Sequence, residues 1–175
     1  MSTLSIIILA GEAGSGKSET LHAMIGSHCT KEAPHIYFAG EKKIYVSLSS
    51  PQEYPGYRFC DVSWVTNKVR AWIGECKGKG CALLIAPFQI SISQRTNKIN
   101  ADCIEKPVAE LKKNFKVHVV YLRKNGSRNR PITLVRLSRI DSLMQGLKND
   151  EIESRKGQAK RQADELWNIL MRIDP

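Results

Sequence analysis

Apolar residues collect in a few short runs with the length and flanks of strands buried on both faces. Ile6-Ile7-Ile8-Leu9-Ala10 and Cys81-Ala82-Leu83-Leu84-Ile85-Ala86 are continuous. Phe115 to Leu122 is longer and mostly apolar. Such runs predict parallel strands in the middle of a sheet. Shorter strands are expected at Ile36-Tyr37-Phe38 and at Lys43-Ile44-Tyr45-Val46-Ser47. Between them the period changes to that of a helix. Leu21, Met24 and Ile25 form one stripe over residues 17–27, and Val65, Val69 and Ile73 form another. Residues 104–114, 132–147 and 151–172 also read as helical. Ser49-Ser50-Pro51, Pro55-Gly56 and Lys77-Gly78-Lys79-Gly80 are turns, and Gly126 to Pro131 is a basic loop. Strands alternating with helices predict an α/β fold of three layers, a parallel sheet covered by helices on both faces. Residues 1–175 read as a single domain.

The stripe of the last helix runs through Ile152, Ala159, Ala163, Leu166, Leu170 and Ile173, and Arg155 falls on it. A guanidinium on a core-facing stripe needs a partner or a path to water. Either it snorkels from the first turn, or its partner is a bound phosphate.

The first strand runs without a gap into Gly11-Glu12-Ala13-Gly14-Ser15-Gly16-Lys17-Ser18, and a helix follows. This fits G-x-x-x-x-G-K-[ST] at every fixed position and in the required strand–loop–helix context. Glycines let successive N–H groups turn inward around a phosphate, and the helix adds its positive end. The expected ligands are ATP or GTP with Mg²⁺. All eight residues from Gly11 to Ser18 contact the nucleotide, Lys17 reaches the β- and γ-phosphates, and the Ser18 hydroxyl meets the metal. The fold expected is therefore a P-loop NTPase.

Composition adds charge asymmetry. The net charge is +10. Residues 1–87 hold nine Lys and Arg against seven Asp and Glu, whereas residues 88–175 hold eighteen against ten. Such a surface suits nucleic acid or a site for several phosphates. Aromatic residues are sparse in the basic half, so nucleic acid is not favoured. Five scattered cysteines without a histidine pattern read as reduced cytosolic thiols, and the chain is expected in the cytoplasm. No run reaches the length of a membrane span.

Neither Asn97-Lys98-Ile99-Asn100 nor Asn67-Lys68-Val69-Arg70 ends in the aspartate with which switch GTPases read guanine, and Leu84-Ile85-Ala86-Pro87 lacks the acid of motor ATPases. Both absences point to a small kinase. In that setting the order of parts resembles guanylate kinase and related nucleoside monophosphate kinases. Tyr45-Val46-Ser47, a Pro-Gly turn and Tyr57-Arg58-Phe59 are similar to that family's substrate segment. Leu83 to Gln89 and Val119 to Leu122 are similar to its next strands. Leu134 to Arg139 resembles the start of its lid, and Glu151 to Arg155, with Ala159 and Glu165, its final helix.

The resemblance implies transfer of the γ-phosphoryl group to a small phosphorylated acceptor such as a nucleoside monophosphate. It implies a small substrate-binding insert at 34–62 and a lid at 123–155. Arg136, Arg139 and Arg155 would close over the transferring group, with Arg136 and Arg139 one helical turn apart. Ser47 and Tyr57 would hydrogen-bond the acceptor. Asp61, the nearest acid, would hold Mg²⁺ through water. Arg123, Arg128 and Arg130 lie in a polar loop, and the four histidines are structural. The chain departs from the family at Leu48-Ser49-Ser50-Pro51-Gln52, which holds no arginine, at Pro87, and in lacking a strand after the last helix. Two other readings stay open on those departures and on the charge: a catalytically weak nucleotide-binding module, and a basic nucleic-acid-associated NTPase.

Overall fold

The computed structural model describes residues 4–59, 61–90, 102–124 and 139–173. In chain order the elements are β1 (Ser5–Glu12), α1 (Lys17–His28), β2 (Thr30–Ala33), β3 (Ile36–Ala39), β4 (Lys42–Val46), a 3-10 turn (Pro51–Glu53) and α2 (Val62–Gly78). Then come β5 (Leu83–Ile90), α3 (Asp102–Lys112), β6 (Lys116–Lys124), α4 (residues 139–145), β7 (Asp150–Ser154) and α5 (Ala159–Arg172). One sheet orders the strands β2-β3-β4-β5-β1-β6-β7. β4, β5, β1, β6 and β7 run parallel, while β2 and β3 pair antiparallel at the edge.

The two faces follow from the strand period of two. Ile6, Ile8 and Ala10 of β1, Leu84, Ala86 and Phe88 of β5, and Val119 and Tyr121 of β6 share one core with residues of α2, α3 and α4. Ile7, Leu9, Ile85, Val120 and Leu122 point the other way, into a core shared with α1 and α5. β1 is buried along its whole length and lies between β5 and β6, with Ile7 opposite Ile85 and His118. This rigid central strand delivers Gly11 and Glu12 to the carboxyl edge of the sheet, where ligands of open α/β sheets bind.

Pro87 occupies a central strand, where a missing N–H usually breaks a ladder. Here it does not. The last β4–β5 pairing is Val46 with Ile85, and Ser47 N donates to Ile85 O (2.9 Å). Residues 85 and 87 face the same edge, so the proline lies beyond the point where β4 has left the sheet.

The end of the chain departs from the sequence expectation. Residues 151–172 are not one helix. Asp150–Ser154 is a fifth parallel strand beside β6, and α5 starts only at Ala159. Ile152 and Ser154 are buried and their neighbours are not, which is a strand period. Gly157, at φ 76°, turns the chain between the two elements. The sheet therefore gains its closing strand before the last helix. The seven-residue gap from Ile152 to Ala159 fits a helix by coincidence. From Ala163 onward the apolar stripe holds, with Ala163, Leu166, Ile169 and Leu170 buried. β2 was not foreseen, because Thr30-Lys31-Glu32-Ala33 is polar and mostly exposed.

Candidate functional site

The phosphate loop is built as its spacing requires. β1 carries Gly11 and Glu12, Ser15 N closes a turn on Glu12 O (3.1 Å), and Gly14 and Gly16 take φ values of 68° and 80°. Gly16 caps α1 in the left-handed region, and Thr20 N donates back to Gly16 O (2.8 Å). The N–H groups of the first turn have no partner within the helix and open onto the loop. Lys17 is buried, and its Nζ donates to Gly11 O (3.0 Å) and Glu12 O (2.8 Å). Burial lowers its pKa to about 8, against the opposing pull of Glu53 and Glu12. A desolvated ammonium folded onto its own loop gains most from an arriving phosphate. Ser18 Oγ donates to Leu48 O (2.9 Å), which ties the loop to the chain leaving β4.

Two cavities flank the loop. The larger, about 740 Å³, opens on the side of β7 and α5 and is lined by Lys124, Arg155, Lys156 and Gln162 as well as the loop. The smaller, about 220 Å³, opens on the side of β4 and β5 and is lined by Lys17, Ser18, Glu53 and Gln89. Gly14, Gly16 and Glu19 border both.

Polar side chains staple the larger cavity to the loop. Ser154 Oγ donates to Ser15 O (2.6 Å). Thr20 Oγ1 donates to Gln162 Oε1 (3.0 Å), and Gln162 Nε2 donates to Arg155 O (3.2 Å). Thr20 and Gln162 are buried, so the bond between them has no competition from water. Gln162→Ala strips Thr20 and the Arg155 carbonyl of their partner at once. It is expected to cost about 1–3 kcal/mol in a denaturant titration, with Gln162→Leu costing no less.

The residues foreseen from the sequence fall as follows. Gly11 to Ser18 form the loop. Arg155 is not on the core stripe of a helix. It lies in the turn between β7 and α5, exposed at the rim of the larger cavity, and its Nη2 meets Glu153 at 3.1 Å. Arg139 is half-buried at the described start of α4 and lines neither cavity. Arg136, Arg128 and Arg130 lie outside the described residues. Arg123 is not in a loop but near the end of β6, paired with Asp141 (3.1 Å), which also accepts from Tyr121 Oη (3.2 Å).

Ser47 is buried at the end of β4 and donates to Ser49 O (2.8 Å), and Tyr57 packs against the core. Asp61, foreseen beside the metal, caps α2 by accepting from Trp64 N (2.9 Å) and lines neither cavity. His28 and His118 meet Asp164 (2.7 Å) and Asp150 (2.8 Å). Glu53, Lys124, Lys156 and Gln162 were missed. Only Gln162 carried a signal, a polar residue four before Leu166 and seven before Ile169 on the buried stripe.

Mg²⁺ prefers one or two protein oxygens, several waters and the substrate's phosphates. Among the described residues no three His, Cys, Asp or Glu side chains gather to hold a metal by themselves. The hydroxyl of Ser18 and the carboxylate of Glu53, both lining the smaller cavity, fit a metal that arrives with its nucleotide.

The fold is similar to that of two shikimate kinases. One, from Acinetobacter baumannii in complex with shikimate, aligns over 97% of this chain and 94% of its own with 18% identity and a TM-score of 0.52. The other, from Bacteroides thetaiotaomicron, aligns over 95% and 98% with 10% identity and a TM-score of 0.50. No family model and no curated protein matches the sequence. The likeness is one of fold: a mostly parallel seven-stranded sheet between helices, shared with these neighbours. Among the described residues no helix is long and apolar enough to cross a membrane.

Proposed function

We propose that the protein is an ATP-dependent kinase of small molecules, moving the γ-phosphoryl group to an acceptor held beside the phosphate loop. The observation that supports this best is the pair of cavities sharing Gly14, Gly16 and Glu19. A triphosphate lying along the loop would place its nucleoside toward Lys124, Lys156 and the turn after β7. Its terminal phosphate would then face Lys17, Ser18 and the smaller cavity.

The chemistry asked of the protein is positioning and charge neutralisation. Loop N–H groups and Lys17 hold the phosphates. Ser18 would hold the Mg²⁺ that accompanies the nucleotide, which would supply further charge neutralisation at the phosphates. The acceptor enters from the β4–β5 side, where Glu53 and Gln89 line the smaller cavity, and Ser47 and Tyr57 are assigned to hydrogen-bond it. Nucleoside monophosphates, implied by the guanylate kinase resemblance, and hydroxy acids of the kind bound by the Acinetobacter baumannii neighbour are the two acceptor classes. Of the stretch 123–155 proposed as a lid, Arg123, Lys124 and Asp150–Ser154 belong to the sheet, and the lid is assigned to residues between them. Arg136 and Arg139 are assigned to close over the transferring group from there.

Arg155, in the turn at the donor cavity, acts on the nucleotide. Arg155→Ala should raise the KM for ATP several-fold and leave kcat unchanged. Arg139→Ala should lower kcat by about 100-fold, the scale of losing one donor to transition-state charge. The decisive assay follows transfer from ATP to a panel of nucleoside monophosphates and hydroxy acids. Turnover on one class, abolished in Lys17→Met, supports the reading. ATP bound but transferred to no member of either class would favour the binding-only module.

A further inference from the structure

β5 carries no acid, with Pro87 at the position where the resemblance implies one, and Asp61, which caps α2, lines neither cavity. A carboxylate reaches the loop by another route. The 3-10 turn Pro51–Glu53 sits over the end of β5, fixed on three sides. Gln52 Nε2 donates to Gln89 O (3.3 Å), and Gln89 N donates to Gln52 Oε1 (3.4 Å). Trp64 Nε1, from α2, donates to Pro51 O (3.2 Å). Glu53 itself is anchored, its Oε2 accepting from Ser50 N (3.2 Å). A carboxylate accepts at both oxygens, so this bond orients the group without exhausting it. The result is a held negative charge lining the same small cavity as Lys17 and Ser18.

We propose that Glu53 is the carboxylate that, with Ser18, secures the Mg²⁺ of the bound nucleotide, in the place left empty by Pro87. The inference rests on the kinase reading of the loop and deepens it. Glu53 and Lys17 share the lining of the smaller cavity, where the terminal phosphate is assigned. Glu12, also in the loop, is buried and lines neither cavity, so it is the poorer candidate. The arrangement also fixes a sign. Without metal, an anchored carboxylate repels the triphosphate; with metal, it binds through it.

The test uses Glu53→Gln, whose amide oxygen still accepts from Ser50 N while the charge is gone. ATP affinity of the 175-residue chain is measured by calorimetry in saturating Mg²⁺ and again in EDTA, and thermal melting checks the fold of the variant. Mn²⁺ titration followed by electron paramagnetic resonance, with ATP present, reads the metal directly. The expected result is a crossing. Glu53→Gln binds ATP about tenfold more weakly in Mg²⁺, the scale of losing a supporting metal partner. In EDTA it binds ATP as well as or better than the wild type, and Mn²⁺ affinity falls by a similar factor. Equal losses in both buffers, or unchanged Mn²⁺ affinity, would show that Glu53 only caps its turn and would overturn the assignment. A wild-type chain that binds ATP in neither buffer would overturn the kinase reading, and this inference with it.

Discussion

Lys17→Met should lower affinity for Mg·ATP by about 100-fold or more, on the scale of a fixed cation acting in a water-poor site. The fold should survive. In the free protein the ammonium is buried against two carbonyls of its own loop, and methionine's stem fills the same space. The lysine should also leave a pH signature that the variant lacks. Its pKa falls from 10.5 unfolded to about 8 folded. Between those values the unfolded chain binds more protons, so stability of the nucleotide-free protein rises with pH across that window. Below about pH 8 both states are protonated and the contribution is absent. The full rise is about 3 kcal/mol. Denaturant titrations across the window should show it in the wild type and not in Lys17→Met. Nucleotide binding runs the other way. The phosphates favour the charged amine, so ATP affinity should fall as pH climbs above about 8.

Gly11→Ala is the second large effect. A Cβ at Gly11 would stand 2.5 Å from Ser15 Oγ and 3.0 Å from Leu122 O. The first neighbour can be removed; the second is backbone of a central strand and cannot yield. The substitution should cost about 1–3 kcal/mol, as overpacking of a tight site does, and weaken ATP binding by reshaping the loop. Ser15 Oγ is buried without a hydrogen-bond partner among the described residues, so Ser15→Ala alone should be nearly neutral. Combined with Gly11→Ala it should recover part of the loss. A double-mutant cycle by chemical denaturation measures the coupling. Strict additivity would mean that the clash with Leu122 O dominates.

The parts of this protein that local chemistry dictates were legible in the sequence. The runs at Ile6, Leu83 and Val119 are buried on both faces, and only central strands of an α/β sheet satisfy that. The build of the loop was legible because every fixed position has a backbone or charge reason. The turn after β7 was not legible in the same way. Ile152 and Ala159 lie seven apart, which a helix also satisfies, and only Gly157 marked the break. Arg155 was misplaced by that error. Glu53 was invisible for a different reason. Its approach to Lys17 depends on how Gln52, Gln89 and Trp64 pin a three-residue turn, and no periodicity records a tertiary tether. Asp61, the more obvious acid, caps the helix it starts and lines neither cavity. The basic second half resolves in part into ordinary pairs such as Arg123 with Asp141 and Arg161 with Glu165.

The most direct test of a loop that holds a triphosphate through Lys17 is calorimetric titration of Mg·ATP into the wild-type chain at about pH 8.5, in two buffers of different ionisation enthalpy. Saturable one-to-one binding is expected, with uptake of a substantial fraction of a proton as the buried amine charges against the phosphates. In Lys17→Met the uptake should vanish along with most of the affinity. Saturable binding with no proton uptake, or with uptake retained in Lys17→Met, would contradict this account of the loop.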